Sequence, residues 1–361
     1  MKKIILFVLI ACLCFGLSAC TATDPNNLFG TISEDISSEE ISYYTGAYQY
    51  GNMQNSGTHR FMLLDNEVVF DHCRYTHDGY MVCTRLFSYD LITGEVHSFC
   101  KDATCTHENC ASSPIITQIE VYNGKLYGTN HEWQILEATE TGADVIVSSK
   151  VEELFHHGDK LYAKTVDSSL VVFEEGKKDP RMVVEEYTGC DAVIFDNYLY
   201  AEWSFRDFVR IDLSANEPKE EVLVENCYSK TDGKHIYYID RKTHQLFRCD
   251  MEGKNAQLIV EQPVLYRCFN FDDEYFYYRL YTDLQDTGHP DSRDIYRFPK
   301  DDPTKIEKIA TLPHSVRMLY TVPGTDKIFV STYYEPGDEE VTYYVMGTDG
   351  SNPTKLEIPE Y

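Results

Sequence analysis

The chain is 361 residues long with a formal net charge of −27, and its acidic residues are spread along it without a basic run to offset them. That balance argues against nucleic acid as a partner, because phosphate binding needs clustered Lys and Arg, and against adhesion of the body to anionic lipid headgroups. With 43% hydrophobic and 13% aromatic residues the chain is globular, yet it is longer than one ordinary core fills unless the fold is a repeat.

The first element is an export signal. "MKKIILFVLIACLCFGLSAC" sets Lys2 and Lys3 before an apolar run and small residues before Cys20, an order that marks residues 1–19 as a cleaved signal peptide too short for a membrane span. Leu17-Ser18-Ala19-Cys20 resembles the lipobox of bacterial lipoproteins. The resemblance implies that Cys20 is acylated and becomes the first mature residue, a lipid anchor holding the protein on the extracellular face of the cell membrane. Residues 20–57 are rich in Ser, Thr, Asn, Asp and Glu and read as a polar tether, although Tyr43 to Tyr50 is aromatic enough to complete the last sheet of the body.

From residue 58 to 361 a short phrase recurs in which Asp, Asn or Gly introduces a turn and an apolar-aromatic pair follows: "DNEVVF" ending at Phe70, "NGKLY" at Tyr127, "GDKLY" at Tyr162, "DNYLY" at Tyr200, "DGKHIYY" with Tyr237, "DDEYFYY" with Tyr277 and "TDKIF" at Phe329. A second phrase falls between copies, as in "LFSYDLITGEV", "FVRIDLSANEP" and "LFRCDMEGKNA", each an aromatic strand running into a turn. A unit of about 40 residues holding two turn-linked strand pairs is the signature of a β-propeller blade. The fold class is therefore all-β, a propeller of most simply seven four-stranded blades. Two β-sandwiches would also give many short strands, but not this near-constant period.

The mature chain resembles secreted bacterial lipoproteins carrying a TolB-like or low-density-lipoprotein-receptor-type (YWTD-like) β-propeller. The matching residues are Cys20, the "NGKLY" and "DGKHIYY" phrases, and Cys105-Thr106-His107 with Cys100 and Cys110, while a strict YWTD tetrapeptide is missing. The resemblance implies a fold and a location and brings no activity with it.

The longest interval between phrases, Phe70 to Tyr127, contains "CKDATCTHENC". This insertion follows the last strand of one blade and precedes the first of the next. It is too polar to order itself by burial, so a cross-link or a metal would fix it. A disulfide is the standard use of paired cysteines outside the cell; a structural zinc on Cys100, Cys105, His107 and Cys110 is the competing solution, and unlinked thiols are the third. Elsewhere, Cys73 and Cys83 are placed to pair across the hairpin of the first blade. Cys190, Cys227 and Cys268 precede their tyrosine phrases in register and are expected on innermost strands as buried, inert thiols. Without the leader cysteines and Cys20 the count is odd, so at least one thiol has no intramolecular partner thiol.

Enzyme signatures are missing from the sequence. "HEWQI" begins like a zinc-protease helix, but Ile135 stands where a second histidine would share one helical face. No Walker loop, GxSxG elbow or GxGxxG turn occurs. Most of the 28 tyrosines belong to strand phrases and are expected to pack between blades; Tyr275, Tyr277, Tyr278 and Tyr281 in "DDEYFYYRLYTD" would alternatively line a ligand groove beside carboxylates. The resulting expectation is an anchored extracellular interaction module with a carbohydrate or protein ligand. The alternative is an extracellular hydrolase of carbohydrate or peptide with paired carboxylates at the channel mouth.

Overall fold

The structure, a computed structural model, describes residues 61–359 apart from 76–80, 101–118, 131, 140–141, 148–149, 175–178, 204–205, 282–292 and 334–340. Seven four-stranded antiparallel sheets follow one another along the chain: β1–β4 (residues 61–98), β5–β8 (119–147), β9–β12 (151–184), β13–β16 (189–224), β17–β20 (227–260), β21–β24 (264–311) and β25–β28 (316–355). The first strand of each lies innermost: β1 (Phe61–Leu64), β5 (Ile119–Tyr122), β9 (Val151–His157), β13 (Gly189–Phe195), β17 (Cys227–Thr231), β21 (Val264–Phe271) and β25 (Val316–Thr321). Contacts of β5 with β1 and β9, of β9 with β13 and of β21 with β25 place these strands side by side around a channel. The protein is a seven-bladed β-propeller.

The recurring phrase is the hairpin from inner to second strand. In four blades the turn is two residues long, and its first residue, Asp65, Asn123, Gly158 or Asp196, has a left-handed backbone (φ 52, 51, 58 and 53°). Gly, Asn and Asp adopt that conformation at least cost, which explains the residue choice. The aromatic that ends the phrase is then the second strand's contribution to the inter-blade core: Phe70, Tyr127, Tyr162, Tyr200, Tyr237, Tyr277 and Phe329 are all buried.

Neighbouring blades are tied by side chains from the third strands. Arg210 in β15 (Asp207–Asp212) reaches Glu252 of blade 5 at 2.7 Å, Arg248 in β19 (Leu246–Asp250) donates to the Lys300 carbonyl of blade 6 at 2.7 Å, and Arg297 in β23 (Asp294–Pro299) donates to the Thr348 carbonyl of blade 7 at 2.7 Å.

Every blade supplies all four of its own strands, the seventh from β25 to β28, so the described ring closes without a strand from the N-terminus. The segment Tyr43–Tyr50, expected to be able to complete the last sheet, lies outside the described residues. Among the described residues closure rests on an aromatic seam between blades 7 and 1, built from Phe61, Phe70, Phe87, Tyr89, Tyr320, Phe329 and Tyr343. Two hydroxyls stitch it: Leu63 N donates to Tyr320 Oη at 3.1 Å, and Tyr343 Oη donates to the Asp71 carbonyl at 2.8 Å.

Candidate functional site

The two ends of the ring differ. The hairpin end carries the short inner turns, whereas at the opposite end, where inner strands begin and second strands finish, the inner ladders are interrupted. One extra residue, Glu152, bulges from β9; β13 gains one between Cys190 and Val193, β21 gains three between Val264 and Phe269, and β25 gains Arg317. An extra residue bends the strand and re-aims its side chains, and such bulges concentrate at barrel rims and binding sites. Asp191 in the β13 bulge is held at φ 52° while only 7% exposed.

Buried charges gather around these bulges. Lys164 Nζ sits 3.0 Å from Glu152 Oε2 within blade 3. Glu153 Oε1 accepts from Ala192 N of blade 4 at 3.4 Å. Glu202 of blade 4 pairs with Arg241 of blade 5 at 2.7 Å, and the same guanidinium lies 3.7 Å over the Tyr228 ring. Lys230 on β17 donates to the Phe269 carbonyl of blade 6 at 3.0 Å. Deeper in the channel Glu120 of blade 2 meets His156 Nδ1 of blade 3 at 2.9 Å. Adjacent blades are thus joined by ionisable groups taken out of water, where an unpaired partner would be costly.

The electrostatics follow from burial. Desolvation raises the Glu153 carboxyl to about 7 against the pull of Lys164, and lowers the Lys230 ammonium to about 8 although Asp191 opposes it. Burial likewise raises Glu120, while its hydrogen bond raises His156. Because folding raises the Glu153 pKa above its ordinary value of 4.5, its contribution to stability is full below that value and is lost as pH rises through about 7. Glu153→Gln, which cannot ionise, is expected to flatten the fall in stability between pH 4.5 and 7, by up to about 3 kcal/mol at about 1.4 kcal/mol per tenfold change in proton affinity. Denaturant unfolding of parent and variant across that range checks it; an unchanged slope would remove Glu153 from the account.

The thiols stand where the repeat places them. Cys190, Cys227 and Cys268 are on inner strands and buried, and desolvation pushes Cys190 well up, Cys227 to about 12 and Cys268 to about 11. They are protonated, inert thiols at neutral pH. Cys73 and Cys83 are opposite one another in the β2–β3 register (Glu67–Tyr75 with Met81–Asp90). Cys100 is half-buried just past β4 (Val96–Ser98), the outer strand of blade 1. Cys105, His107 and Cys110 lie outside the described residues, as does Cys20, and among the described residues no cluster of three His, Cys, Asp or Glu is arranged to hold a metal.

Of the four tyrosines of "DDEYFYYRLYTD", Tyr275, Tyr277 and Tyr281 share one packed cluster, the Tyr275 and Tyr277 rings being 6.3 Å apart, and Tyr278 lies on the other face. Tyr277 and Tyr278 are 0% and 1% exposed and point to opposite faces of β22 (Tyr275–Leu280), one into the core shared with blade 7 and the other into the core shared with blade 5. Tyr275 lies under Arg297 at 4.1 Å, and Tyr281 stacks on His244 at 5.9 Å. Adjacent strand residues face opposite ways, so the pair cannot line one groove.

The sequence reading passed over Trp133 and Trp203, the two tryptophans of the chain. Trp133 stands in the connection between the second and third strands of blade 2, and Trp203 is the last residue of β14 (Tyr198–Trp203) in blade 4. Both are half-buried and both belong to the bulged end. The signal was present in "HEWQI" and "AEWSF", where each indole closes or follows a strand instead of standing inside it.

No family model and no curated protein matches the chain. Among solved structures it is similar to PorZ, a bacterial surface component of the type-IX secretion system of Porphyromonas gingivalis (TM-score 0.51, 10% identity), covering 85% of this chain and 38% of that one. It is also similar to the β-propeller domain of the Trilobed protease from Pyrococcus furiosus, described as having an open velcro topology (TM-score 0.50, 12% identity; 79% of this chain, 92% of that one). A third is the dihydro-heme d1 dehydrogenase NirN (TM-score 0.50, 10% identity; 81% and 71%). At these identities the likeness is one of fold.

Proposed function

We propose that the protein is an interaction module, carried on the outer face of a cell membrane by a lipid on Cys20, which receives its ligand at the bulged end of the ring. The observation that carries this reading is the asymmetry of the two ends: the inner hairpins at one end close without a break in register, while the other end concentrates four bulged inner strands and the buried charges around them. Strained backbone persists where the surrounding structure over-determines it, and it clusters at binding sites and ligand clamps. Two of the acidic groups at this end are engaged by the protein, Glu152 by Lys164 and Glu202 by Arg241, which supports these two as parts of walls that position a ligand over free carboxylates that attack one. The polar tether, residues 20–57, would hold the body off the bilayer.

Two measurements test the reading. Cys20→Ala is expected to move the protein from the membrane fraction to the medium; retention at the parental level would remove the anchor. The soluble Cys20→Ala chain is then screened on glycan and peptide arrays and its binder mapped by hydrogen exchange. Protection confined to the bulged end, where inner strands begin and second strands finish, is the expected result, and protection of the inner hairpin turns at the other end would contradict it.

A further inference from the structure

Resting on that reading of the bulged end, we propose that the ligand is a carbohydrate, seated across blades 2 to 4 with Trp133 and Trp203 as its stacking platforms. The chain uses 28 Tyr and 18 Phe but two Trp, and both Trp fall at this end, on either side of blade 3. Core aromatics such as Phe155 and Tyr187 are 1% and 0% exposed, whereas both indoles keep part of their surface open.

Each indole is fixed in place. Trp133 has a left-handed backbone, φ 63°, which costs a bulky residue on the order of 1–2 kcal/mol and which Gly or Asn would adopt more cheaply. The loop holds it there: Asn130 Oδ1 accepts from Glu132 N at 3.0 Å and Gln134 N at 2.9 Å, and the Trp133 carbonyl accepts from Val151 N, the start of β9, at 2.7 Å. Trp203 pairs with Gly189 at the start of β13 and is braced edge-on by Tyr187, 5.6 Å away at 76°. Gly189 is required for that brace, since a Cβ there would come within 2.6 Å of the Tyr187 ring.

Between the two platforms blade 3 presents fixed polar groups, the Lys164–Glu152 pair and the Thr165 hydroxyl bonded to Asp167. A sugar ring is the ligand whose chemistry matches: its C–H faces stack on indoles, and its hydroxyls both donate and accept, so they bridge to a paired ammonium and carboxylate without needing a net charge. A cationic peptide would instead need unpaired carboxylates, and Glu152 and Glu202 are paired, which leaves it the exposed Glu185 and Glu186 beside Tyr187.

The test uses the soluble Cys20→Ala full-length chain and four hexasaccharides, of β-glucose, xylose, α-glucose and N-acetylglucosamine, followed by tryptophan fluorescence and acrylamide quenching. Saturable binding of at least one, with the indoles shielded from acrylamide, is expected. Trp133→Ala and Trp203→Ala should each weaken it at least about tenfold, roughly 1.4 kcal/mol. Trp203→Phe, which keeps a ring against Tyr187, should retain part of the affinity and shows that the loss is not unfolding. Failure of all four sugars to saturate, or affinity indifferent to both tryptophans, overturns the inference. Binding of a peptide at this end with no sugar binding overturns the carbohydrate and leaves the docking reading intact, whereas a sugar footprint on the hairpin end overturns both.

Discussion

Phe61→Ala is expected to lower the unfolding free energy by about 3–5 kcal/mol, a large share of the 5–15 kcal/mol typical of a folded domain. Phe61 is fully buried in the seam and has ring neighbours from both blades it joins: Phe70 at 6.0 Å in blade 1, and Tyr320 at 5.8 Å, Phe329 at 5.9 Å and Tyr343 at 6.0 Å in blade 7. Among the described residues no exchanged strand backs it up, because each of the two sheets is built from its own stretch of chain. Truncating Phe61 therefore leaves a cavity where the ring has only side chains to hold it shut. Denaturant midpoints compare parent and variant, and an unshifted midpoint would mean that closure rests elsewhere.

The second large effect is at Gly350. A Cβ there would lie 2.1 Å from the Ile309 carbonyl oxygen of blade 6, and the backbone is left-handed at φ 82°. Both the clash and the conformation oppose any side chain, so Gly350→Ala is expected to cost about 3–4 kcal/mol. Gly324 separates the two causes: its φ is 72°, but a Cβ there meets nothing within 4 Å, so Gly324→Ala should cost only about 1 kcal/mol. Equal losses at the two positions would mean that the close approach of blades 6 and 7 contributes nothing. Gly253, 2.2 Å from the Leu223 carbonyl oxygen, makes the same approach between blades 4 and 5.

Much of this architecture is legible in the sequence because it is local. The turn residues Asp65, Asn123 and Asp196 announce hairpins through their tolerance of left-handed backbone, and the aromatic that follows each one is the buried residue of a second strand. Fixed spacing from those aromatics then carries Cys190, Cys227 and Cys268 to inner strands. What the sequence hides is whatever depends on register or on the neighbouring blade. The bulges at Glu152 and Arg317 each shift the alternation by one residue, which in a sequence looks like an ordinary polar interruption. Pairings such as Glu202 with Arg241, or Lys230 with the Phe269 carbonyl, join residues 39 apart that meet only once the ring has formed. Strand alternation gives Tyr277 and Tyr278 opposite faces, so a groove could draw on only one of the two.

The central claim is that seven self-contained blades make one closed, cooperative ring, because no blade can cover both faces of its sheet alone. Deleting residues 315–361 removes the seventh blade together with Tyr320, Phe329 and Tyr343 of the seam, and calorimetry of the parent and the truncated chain reads the consequence directly. The parent should unfold in a single transition, and the truncated chain should aggregate or lose that transition; a truncated chain that stays soluble and melts like the parent would contradict the ring.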